Sequence, residues 1–308
     1  MKILFFGSDE FAIPSLKSIA QSKHKILGVV TKSNKPAGRG QKITPCPVAV
    51  VAKELGFKLF QPEILKTEES LAPLLSLKPD ILVVVAYGQF LPTTLINAIS
   101  HKALNLHPSL LPKYRGAAPM QWALLNGEKT TGVTTAIITK EMDAGDIYLQ
   151  QKTEIDEDEN FVDLQNRLSL LGAELLLKTL DGIERGTLKP KPQNTKQVTF
   201  APLLTKEEGH LDWKESAWKL HNKIRALNPW PGAFCYLDEK RLKIFRTLML
   251  EREPEEKPGI VVKDSAEIWV ACGQGLLCLL EVQLEGKTKM SIKEFVKGYP
   301  IPVGTIFK

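Results

Sequence analysis

Lys2-Ile-Leu-Phe-Phe-Gly7 and Lys25-Ile-Leu-Gly-Val-Val-Thr31 are the two stretches that decide the fold of the N-terminal half. Each is a short, largely apolar run that is typical of a buried strand, and residues 11–22 between them have helical spacing. A strand, a helix and a second strand at this separation form a βαβ unit. The opening of the chain therefore predicts a parallel sheet.

The same alternation continues along the chain. Further strands are predicted at residues 58–60, 81–86, 103–106 and 132–138, and helices at residues 48–55, 91–98, 119–126 and 160–185. Strands that are apolar on both faces and alternate with helices are typical of parallel sheets covered on each side. We therefore predict an α/β fold with an open, mostly parallel, Rossmann-like sheet that carries helices on both faces.

A polar, basic and proline-bearing stretch, residues 186–197, has the composition of a linker. Beyond it the predicted strands are short and separated by turns, at residues 233–237, 242–250, 259–262, 267–272 and 275–283. This spacing is typical of a small barrel, here of the oligonucleotide-binding (OB) type. The predicted domains are residues 1–188, a linker over 189–206, and a β-barrel over 207–308.

Composition excludes several classes of protein. The chain has 308 residues, 43% hydrophobic and 25% charged, which is ordinary for a globular protein. Its longest apolar run, residues 81–87, is far shorter than the roughly 20 residues that span a membrane, and residues 1–7 are too short an apolar stretch for a signal peptide. The four cysteines are scattered without metal-binding spacing. We expect a cytoplasmic protein without a metal, and a monomer.

Positive charge is concentrated in two stretches. The formal charge is +6, and residues 11–53 contain eight Lys or Arg and no Asp or Glu. A second group, Lys287, Lys289, Lys293, Lys297 and Lys308, faces only Glu294 after residue 286. Such runs are often solvated faces, but two of them in one chain also fit a polyanionic partner.

The residues whose side chains are suited to catalysis lie between 105 and 146. The first βα turn, Gly7-Ser8-Asp9-Glu10, has one glycine and two acids, which argues against a dinucleotide cofactor. Asn105 and His107 stand two apart at the end of a predicted strand, so their side chains point the same way. Asp143 follows the predicted strand 132–138. If both strands are parallel, their carboxyl ends bring these three side chains to one edge of the sheet.

An amide, an imidazole and a carboxylate without a serine or cysteine motif suggest acyl transfer to a nucleophile brought by the substrate. Asn105 would donate a hydrogen bond to the developing oxyanion. His107 would add positive charge or handle a proton, and Asp143 would orient His107 and relay protons. A satisfied network of turn hydrogen bonds is the other interpretation of the same residues.

Residues 105–119, Asn-Leu-His-Pro-Ser-Leu-Leu-Pro followed by Lys-Tyr-Arg-Gly-Ala-Ala-Pro, and residues 142–147 closely resemble the signature of the 10-formyltetrahydrofolate-dependent formyltransferases. The resemblance implies that Asn105, His107 and Asp143 are catalytic and that 10-formyltetrahydrofolate is the formyl donor. It also implies a set of folate-binding residues: Ser109, Leu110, Leu111, Pro112, Tyr87, Gly88 and Phe90.

Three further stretches, residues 3–12, Lys35-Pro-Ala-Gly-Arg-Gly40 and residues 221–234, resemble the branch of this family that formylates the methionine of initiator tRNA. The resemblance extends over essentially the whole chain. It implies transfer of the formyl group to the α-amino group of methionyl initiator tRNA. The basic residues expected to contact the tRNA are Lys35, Arg39, Lys42, Lys287 and Lys289.

Four alternatives keep part of this interpretation. An amino-sugar nucleotide is the nearest alternative acceptor. A glycinamide ribonucleotide acceptor is disfavoured because that branch lacks an additional domain of this size, and a formyltetrahydrofolate hydrolase would need no basic loop. A non-catalytic RNA-binding protein would bind tRNA without transferring a formyl group.

Overall fold

The structure, a computed structural model, describes residues 1–37, 42–263 and 267–308, without the side chains of residues 35–37 and 42–43. The chain forms two compact units. The first comprises Met1–Pro119, Thr130–Glu154 and Gln165–Pro202, and the second comprises Met120–Lys129, Ile155–Leu164 and Leu203–Lys308. The segment predicted as a linker therefore groups with the first unit as far as Pro202.

Eleven strands lie between residue 1 and residue 202 of the described chain. They are β1 (Lys2–Gly7), β2 (Lys25–Val30), β3 (Lys35–Ala37), β4 (Lys42–Thr44), β5 (Leu59–Phe60), β6 (Ile81–Val85), β7 (Ala103–His107), β8 (Arg115–Gly116), β9 (Thr130–Ile137), β10 (Ile147–Glu154) and β11 (Phe200–Ala201). Seven of them form the main sheet in the order β10-β9-β7-β6-β1-β2-β5, while β3 pairs with β4 and β8 pairs with β11.

The helices before residue 202 are α1 (Ile13–Ala20), α2 (Pro47–Glu54), α3 (Glu68–Leu75), α4 (Thr93–Asn97), α5 (Pro119–Leu125) and α6 (Phe161–Glu184). A short 3₁₀ turn, Glu10–Ala12, precedes α1, because the Asp9 side chain accepts a hydrogen bond from the Phe11 amide at 3.0 Å. A side-chain acceptor of this kind satisfies an amide that has no partner within the helix.

The core of the sheet is formed by strands that are apolar on both faces. In β1 every residue except Lys2 is buried, and β6 is buried throughout. Leu4 and Phe6 of β1 pack with Val84 of β6 and with Tyr87 in one cluster. Each Å² of apolar surface that is buried stabilises the fold by about 25 cal/mol, so these central strands contribute strongly to stability. The predicted α/β sheet is confirmed.

The direction of β9 differs from the prediction. Strands β5, β2, β1, β6 and β7 are parallel, but β9 pairs antiparallel with β7, with His107 opposite Thr134 and Leu104 opposite Ile137. The carboxyl ends of β7 and β9 therefore lie at opposite edges of the sheet, and the expectation that they share an edge is wrong. Apolar patterning identifies a strand but does not give its direction.

The second unit is built on an antiparallel sheet in the order β12-β13-β16-β15-β14, with β17 paired to β16. Its elements are α7 (Ala217–Leu227), β12 (Ala233–Leu237), β13 (Lys240–Leu250), β14 (Val261–Lys263), β15 (Ile268–Ala271), β16 (Leu276–Leu284), β17 (Met290–Ser291) and α8 (Ile292–Gly298). The sheet curls into a half-barrel around a core that includes Leu242, Ile244, Leu277 and Leu279, which confirms the predicted small barrel.

The last residues of the chain bond to both outer strands of this sheet. Lys308 exchanges two backbone hydrogen bonds with Tyr236 of β12, at 2.7 and 3.0 Å. Phe307 donates to the Gly259 carbonyl at 2.8 Å, and Val261 of β14 donates to the Thr305 carbonyl at 2.9 Å. Backbone groups at the two ends of the sheet thus find partners in one segment, residues 305–308.

Candidate active site

Strand β7 carries Asn105 and His107 on the same face, because side chains two residues apart in a strand point the same way. The strand lies between β6 and β9, with Asn105 opposite both Val84 and Ala136. The His107 side chain is 5% exposed, while Asn105 is only partly buried. A central strand thus holds the imidazole in the interior and the amide at its margin.

Asp143 reaches these two residues from the loop between β9 and β10. Its Oδ1 lies 3.3 Å from Asn105 Nδ2 and 3.6 Å from His107 Nδ1, and its Oδ2 accepts a hydrogen bond from the Gly116 amide at 2.9 Å. The backbone of Asp143 has a φ of 52°, in the left-handed region, which aspartate tolerates better than most residues. The loop folds back over the sheet, and in this way brings together the three residues that the sequence predicts.

Both ring nitrogens of His107 face oxygen atoms that accept hydrogen bonds. Nε2 lies 2.9 Å from the Tyr114 carbonyl oxygen, which accepts hydrogen bonds and does not donate them. Nδ1 faces the Asp143 carboxylate. A protonated imidazole would present an N–H to each of these acceptors, whereas a neutral imidazole has one N–H for the two.

Asn105 keeps hydrogen-bonding capacity for a substrate. Its side-chain amide has two N–H groups, of which one is directed to Asp143. Within the described residues the second N–H has no protein partner, and Asn105 is partly exposed. A preorganised N–H donor of this kind can stabilise an oxyanion.

The loop after β7 is fixed by hydrogen bonds to β9 and β10. Thr134 donates to the Ser109 carbonyl at 2.6 Å and accepts from the Leu111 amide at 3.1 Å, and Gln150 donates to the Leu111 carbonyl at 2.8 Å. Ser109 and Leu111 are buried, and Leu110 and Pro112 are partly exposed. Of the four residues predicted here to bind folate, Leu110 and Pro112 thus have side-chain surface for a ligand.

Residues 87–90 differ among themselves. Tyr87 is 1% exposed and packs edge-on against Phe6 with ring centroids 5.4 Å apart. Burial raises the pKa of its hydroxyl to about 12. Gly88 has a φ of 70°, and Phe90 is 68% exposed. The structure therefore places Tyr87 in the core, while Gly88 and Phe90 belong to an exposed turn.

The basic residues predicted to contact tRNA lie only in part within the residues that the structure describes. Arg39 lies outside the described residues, and so do the side chains of Lys35 and Lys42. Lys287 is exposed. Lys289 is paired with Glu281 at 2.6 Å and lies over the Phe245 ring, 4.9 Å from its centroid.

Two side chains near Asp143 have no counterpart in the sequence analysis. Arg115, 6% exposed, donates to Gln193 Oε1 through Nη2 at 2.8 Å and through Nε at 3.1 Å. Gln193 in turn donates to the backbone of the Asp143 loop. The polar composition around Gln193 indicates only a linker, so the sequence carries no signal for this role.

One group of potential metal ligands occurs among the described residues, formed by His24, Asp181 and Glu184. Lys23 Nζ lies 2.9 Å from Asp181 and 2.8 Å from Glu184, and chiefly this ammonium lowers the pKa of Glu184 to about 2. The lysine already supplies the positive charge that these carboxylates need, so the group is explained as an ion-pair cluster. The expectation of a metal-free protein stays a prediction.

The fold and the site together define a class of protein. The sheet carries Asn105 and His107, and the Asp143 carboxylate lies within 3.6 Å of both side chains. An amide, an imidazole and a carboxylate placed in this way suit acyl transfer. Residues 1–180 match the family described as formyl transferase, and residues 203–300 match the C-terminal domain of formyl transferases. The chain belongs to the formyl transferase family.

Relatives over the full length carry a more specific name. A methionyl-tRNA formyltransferase of Caldanaerobacter subterraneus subsp. tengcongensis is 44% identical over 309 residues, which cover 100% of both chains. A methionyl-tRNA formyltransferase of Thermodesulfovibrio yellowstonii is 45% identical over 302 residues, covering 98% of this chain and 97% of the relative.

Solved structures share the fold at lower identity. HypX from Aquifex aeolicus, in complex with tetrahydrofolic acid, superimposes with a TM-score of 0.66 at 19% identity, over 100% of this chain and 50% of that one. An N-formyltransferase from Helicobacter canadensis, in complex with folinic acid and dTDP-3-aminofucose, has a TM-score of 0.66 at 18% identity, covering 94% of this chain and 100% of the other. This chain spans about half the length of HypX.

No described helix has the length and apolar character of a membrane span.

Proposed function

We propose that this protein transfers the formyl group of 10-formyltetrahydrofolate to the α-amino group of methionine on initiator tRNA. The observation that carries the proposal is that the Asp143 carboxylate lies 3.3 Å from Asn105 and 3.6 Å from His107. The likeness to methionyl-tRNA formyltransferases over the full chain supports the choice of acceptor. The folate derivative is consumed as a substrate and supplies the formyl carbon in an activated form.

The reaction forms a bond between the amine nitrogen and the formyl carbon and breaks the bond between that carbon and folate N10. Negative charge develops on the formyl oxygen, which the free N–H of Asn105 stabilises by a hydrogen bond. In this mechanism His107 is protonated, with its ring nitrogens facing protein acceptors, and it contributes positive charge. Asp143 accepts the proton that the amine loses, through a water molecule. The same proton is then passed through that water to folate N10 as it leaves, so Asp143 returns to its carboxylate form.

Polar side chains hold in place the loop that we propose to contact the folate substrate. Thr134 and Gln150 fix the backbone of the loop after β7 before a substrate binds, and preorganised groups need little rearrangement during reaction. We propose that Leu110, Pro112, Gly88 and Phe90 line the folate site. Tyr87, Ser109 and Leu111 would shape it from the interior.

A transfer assay tests the function. Purified protein is incubated with 10-formyltetrahydrofolate and one of three acceptors: methionyl initiator tRNA, methionyl elongator tRNA or an amino-sugar nucleotide. We expect formylation of the initiator species. Formylation of the sugar alone would keep the chemistry and contradict the tRNA acceptor. Release of free formate without any acceptor would indicate a hydrolase, and binding of tRNA without transfer would contradict an enzyme.

The basic residues form a separate part of the proposal. Contacts between lysine or arginine and phosphate position a nucleic acid without reading its sequence, and they weaken as salt rises. We propose that Lys35, Arg39, Lys42, Lys287 and Lys289 contact the tRNA of a monomeric, cytoplasmic enzyme. Arg39→Ala should raise the KM for tRNA and leave the KM for folate unchanged, and gel filtration tests the monomer.

A further inference from the structure

The side chain of Gln193 uses its full hydrogen-bonding capacity on the surroundings of Asp143. Its Nε2 donates to the carbonyls of Asp143 and Gly145, both at 2.7 Å. Its Oε1 accepts two hydrogen bonds from Arg115. A primary amide has two N–H donors and one oxygen with two lone pairs, so this geometry satisfies all four.

These contacts close a ring of hydrogen-bonded residues that passes through Asp143. Gln193 holds the backbone carbonyl of Asp143, and the amide of Gly116 holds its Oδ2. Gly116 follows Arg115 in β8, and Arg115 returns to Gln193. Asp143 is thus fixed at its backbone and at its side chain, by groups connected to each other.

The backbone on both sides of Gln193 strengthens the ring. Lys191 exchanges two hydrogen bonds of 2.8 Å with Ile147, at the start of β10. Further along, the Thr199 carbonyl accepts from the Arg115 amide at 2.9 Å, and β11 pairs with β8. The segment from 191 to 201 therefore joins the loop that carries Asp143 to β8, which contains Gly116.

Asp143 needs such support because of its conformation. A non-glycine residue in the left-handed region has a less favourable conformation, which persists where its surroundings fix it. Its Oδ1 is 3.6 Å from His107 Nδ1, so a small rotation of the loop would separate the carboxylate from the imidazole. A displacement of about 1 Å at a catalytic group can lower a rate by about 100-fold.

We infer that Gln193 is a positioning residue, which holds Asp143 against Asn105 and His107 during formyl transfer. The inference rests on the function proposed above for its catalytic consequence, but the positioning itself is independent of any substrate. Gln193 acts through the loop that carries Asp143.

Gln193→Glu is the variant that tests the inference. It keeps the size of the side chain and an oxygen for Arg115, but it replaces the N–H donors by an oxygen that faces two carbonyls. Gln193→Met removes all four hydrogen bonds at similar volume and serves if the glutamate variant does not fold. Gln197→Glu is the matched control, since Gln197 is exposed in the same segment.

Two measurements separate positioning from general stability. The first is hydrogen exchange of the Gly116 amide in the substrate-free protein, with the amide of Phe5 in β1 as a reporter of global unfolding. We expect exchange at Gly116 to become at least about tenfold faster in Gln193→Glu, with Phe5 unchanged. The second is steady-state kinetics, in which kcat should fall about 10- to 100-fold while both KM values change less than about threefold. Gln197→Glu should alter neither.

Unchanged exchange at Gly116 in both Gln193 variants would overturn the inference, whatever the kinetics show. Parallel acceleration at Gly116 and Phe5 would also overturn it, because that result marks a purely stabilising residue. If the wild-type protein fails to formylate methionyl-tRNA, the proposed function fails, while the exchange data still test whether Gln193 positions Asp143.

Discussion

Asn105 and His107 lie on one strand, but they differ in burial and in the hydrogen-bonding groups that they leave for a substrate. His107 is buried, and both of its ring nitrogens face oxygen acceptors of the protein. Asn105 lies at the margin, with one N–H not directed to Asp143. In the proposed mechanism, the hydrogen bond to the developing oxyanion therefore comes from Asn105.

Replacing Asn105 by alanine should reduce turnover far more than substrate binding. Loss of one oxyanion donor lowers kcat by about 10²–10³, because the interaction is strongest in the transition state. The dissociation constant for 10-formyltetrahydrofolate should stay within about threefold. Kinetics and equilibrium binding check the two expectations, with Asn97→Ala as a control at an exposed amide. A loss of turnover below about tenfold would contradict the role of Asn105.

Tyr87 should act through packing. Its hydroxyl lies 3.5 Å from Gln89 Oε1, at the limit of a hydrogen bond, and its ring is buried against Phe6. Tyr87→Phe should leave folate affinity and turnover nearly unchanged, whereas Tyr87→Ala should lower the free energy of unfolding by about 3–5 kcal/mol through the cavity it creates. Denaturant unfolding and folate binding measure both. A large loss of folate affinity in Tyr87→Phe would show instead that the hydroxyl contacts the ligand.

Among the elements, the two-residue strands β8 and β11 matter most for the site. Ala201 accepts backbone hydrogen bonds from Ala117 at 2.9 Å and Ala118 at 3.2 Å, next to the Gly116 amide that binds Asp143. Gly116 has a φ of 131°, and a Cβ there would collide with the Ala201 carbonyl. The close approach of the two strands thus requires glycine.

Gly116→Ala should therefore damage both stability and catalysis. The collision separates β8 from β11 and moves the amide away from Asp143, so we expect a loss of about 1–3 kcal/mol in stability and a fall in kcat of about 100-fold. Gly186→Ala is a suitable control, because Gly186 has a φ of 67° with open space around it. If both variants lose the same turnover, backbone strain alone explains the effect.

The sequence predicts most of the elements, and the exceptions have physical reasons. The apolar strands β1, β2, β6, β7 and β9 are visible because burial on both faces demands apolar residues. The direction of β9 and the polar strand β10 are not visible, since pairing partners decide them. Asn105, His107 and Asp143 are identified by residue type and motif. Gln193 is not, because its role depends on contacts with residues about 50 to 80 positions earlier.

For the molecule as a whole, buried histidines link stability to pH. His221 lies in the second unit, where Nδ1 is 3.0 Å from Thr247 Oγ1. Burial, and to a smaller extent Arg225, lowers the pKa of His221 below its ordinary value of 6.5, and these effects outweigh the backbone of Glu157 and the charge of Asp158. The unfolded chain then binds a proton more readily than the folded one. Stability is therefore full above about pH 6.5 and falls as the pH drops below that value.

His221→Gln should reduce this acid sensitivity, because glutamine can still bond to Thr247 but does not titrate. We expect the melting temperature to fall less between pH 7 and pH 5 in the variant than in the wild type, by roughly 2–4 °C for each kcal/mol of linkage removed. His101→Gln, at an exposed position, is the control. Equal slopes in all three proteins would mean that His221 does not contribute.

The segment 305–308, which bonds to Tyr236 on one side and to Gly259 and Val261 on the other, has a consequence for self-association. Strand edges with unpaired N–H and C=O groups are templates for strands of another molecule. Deletion of these residues would uncover such edges on β12 and β14 at once, and two copies of the chain could then pair edge to edge or exchange their ends. The backbone hydrogen bonds of residues 305–308 thus occupy groups on both outer strands that could otherwise pair with another molecule.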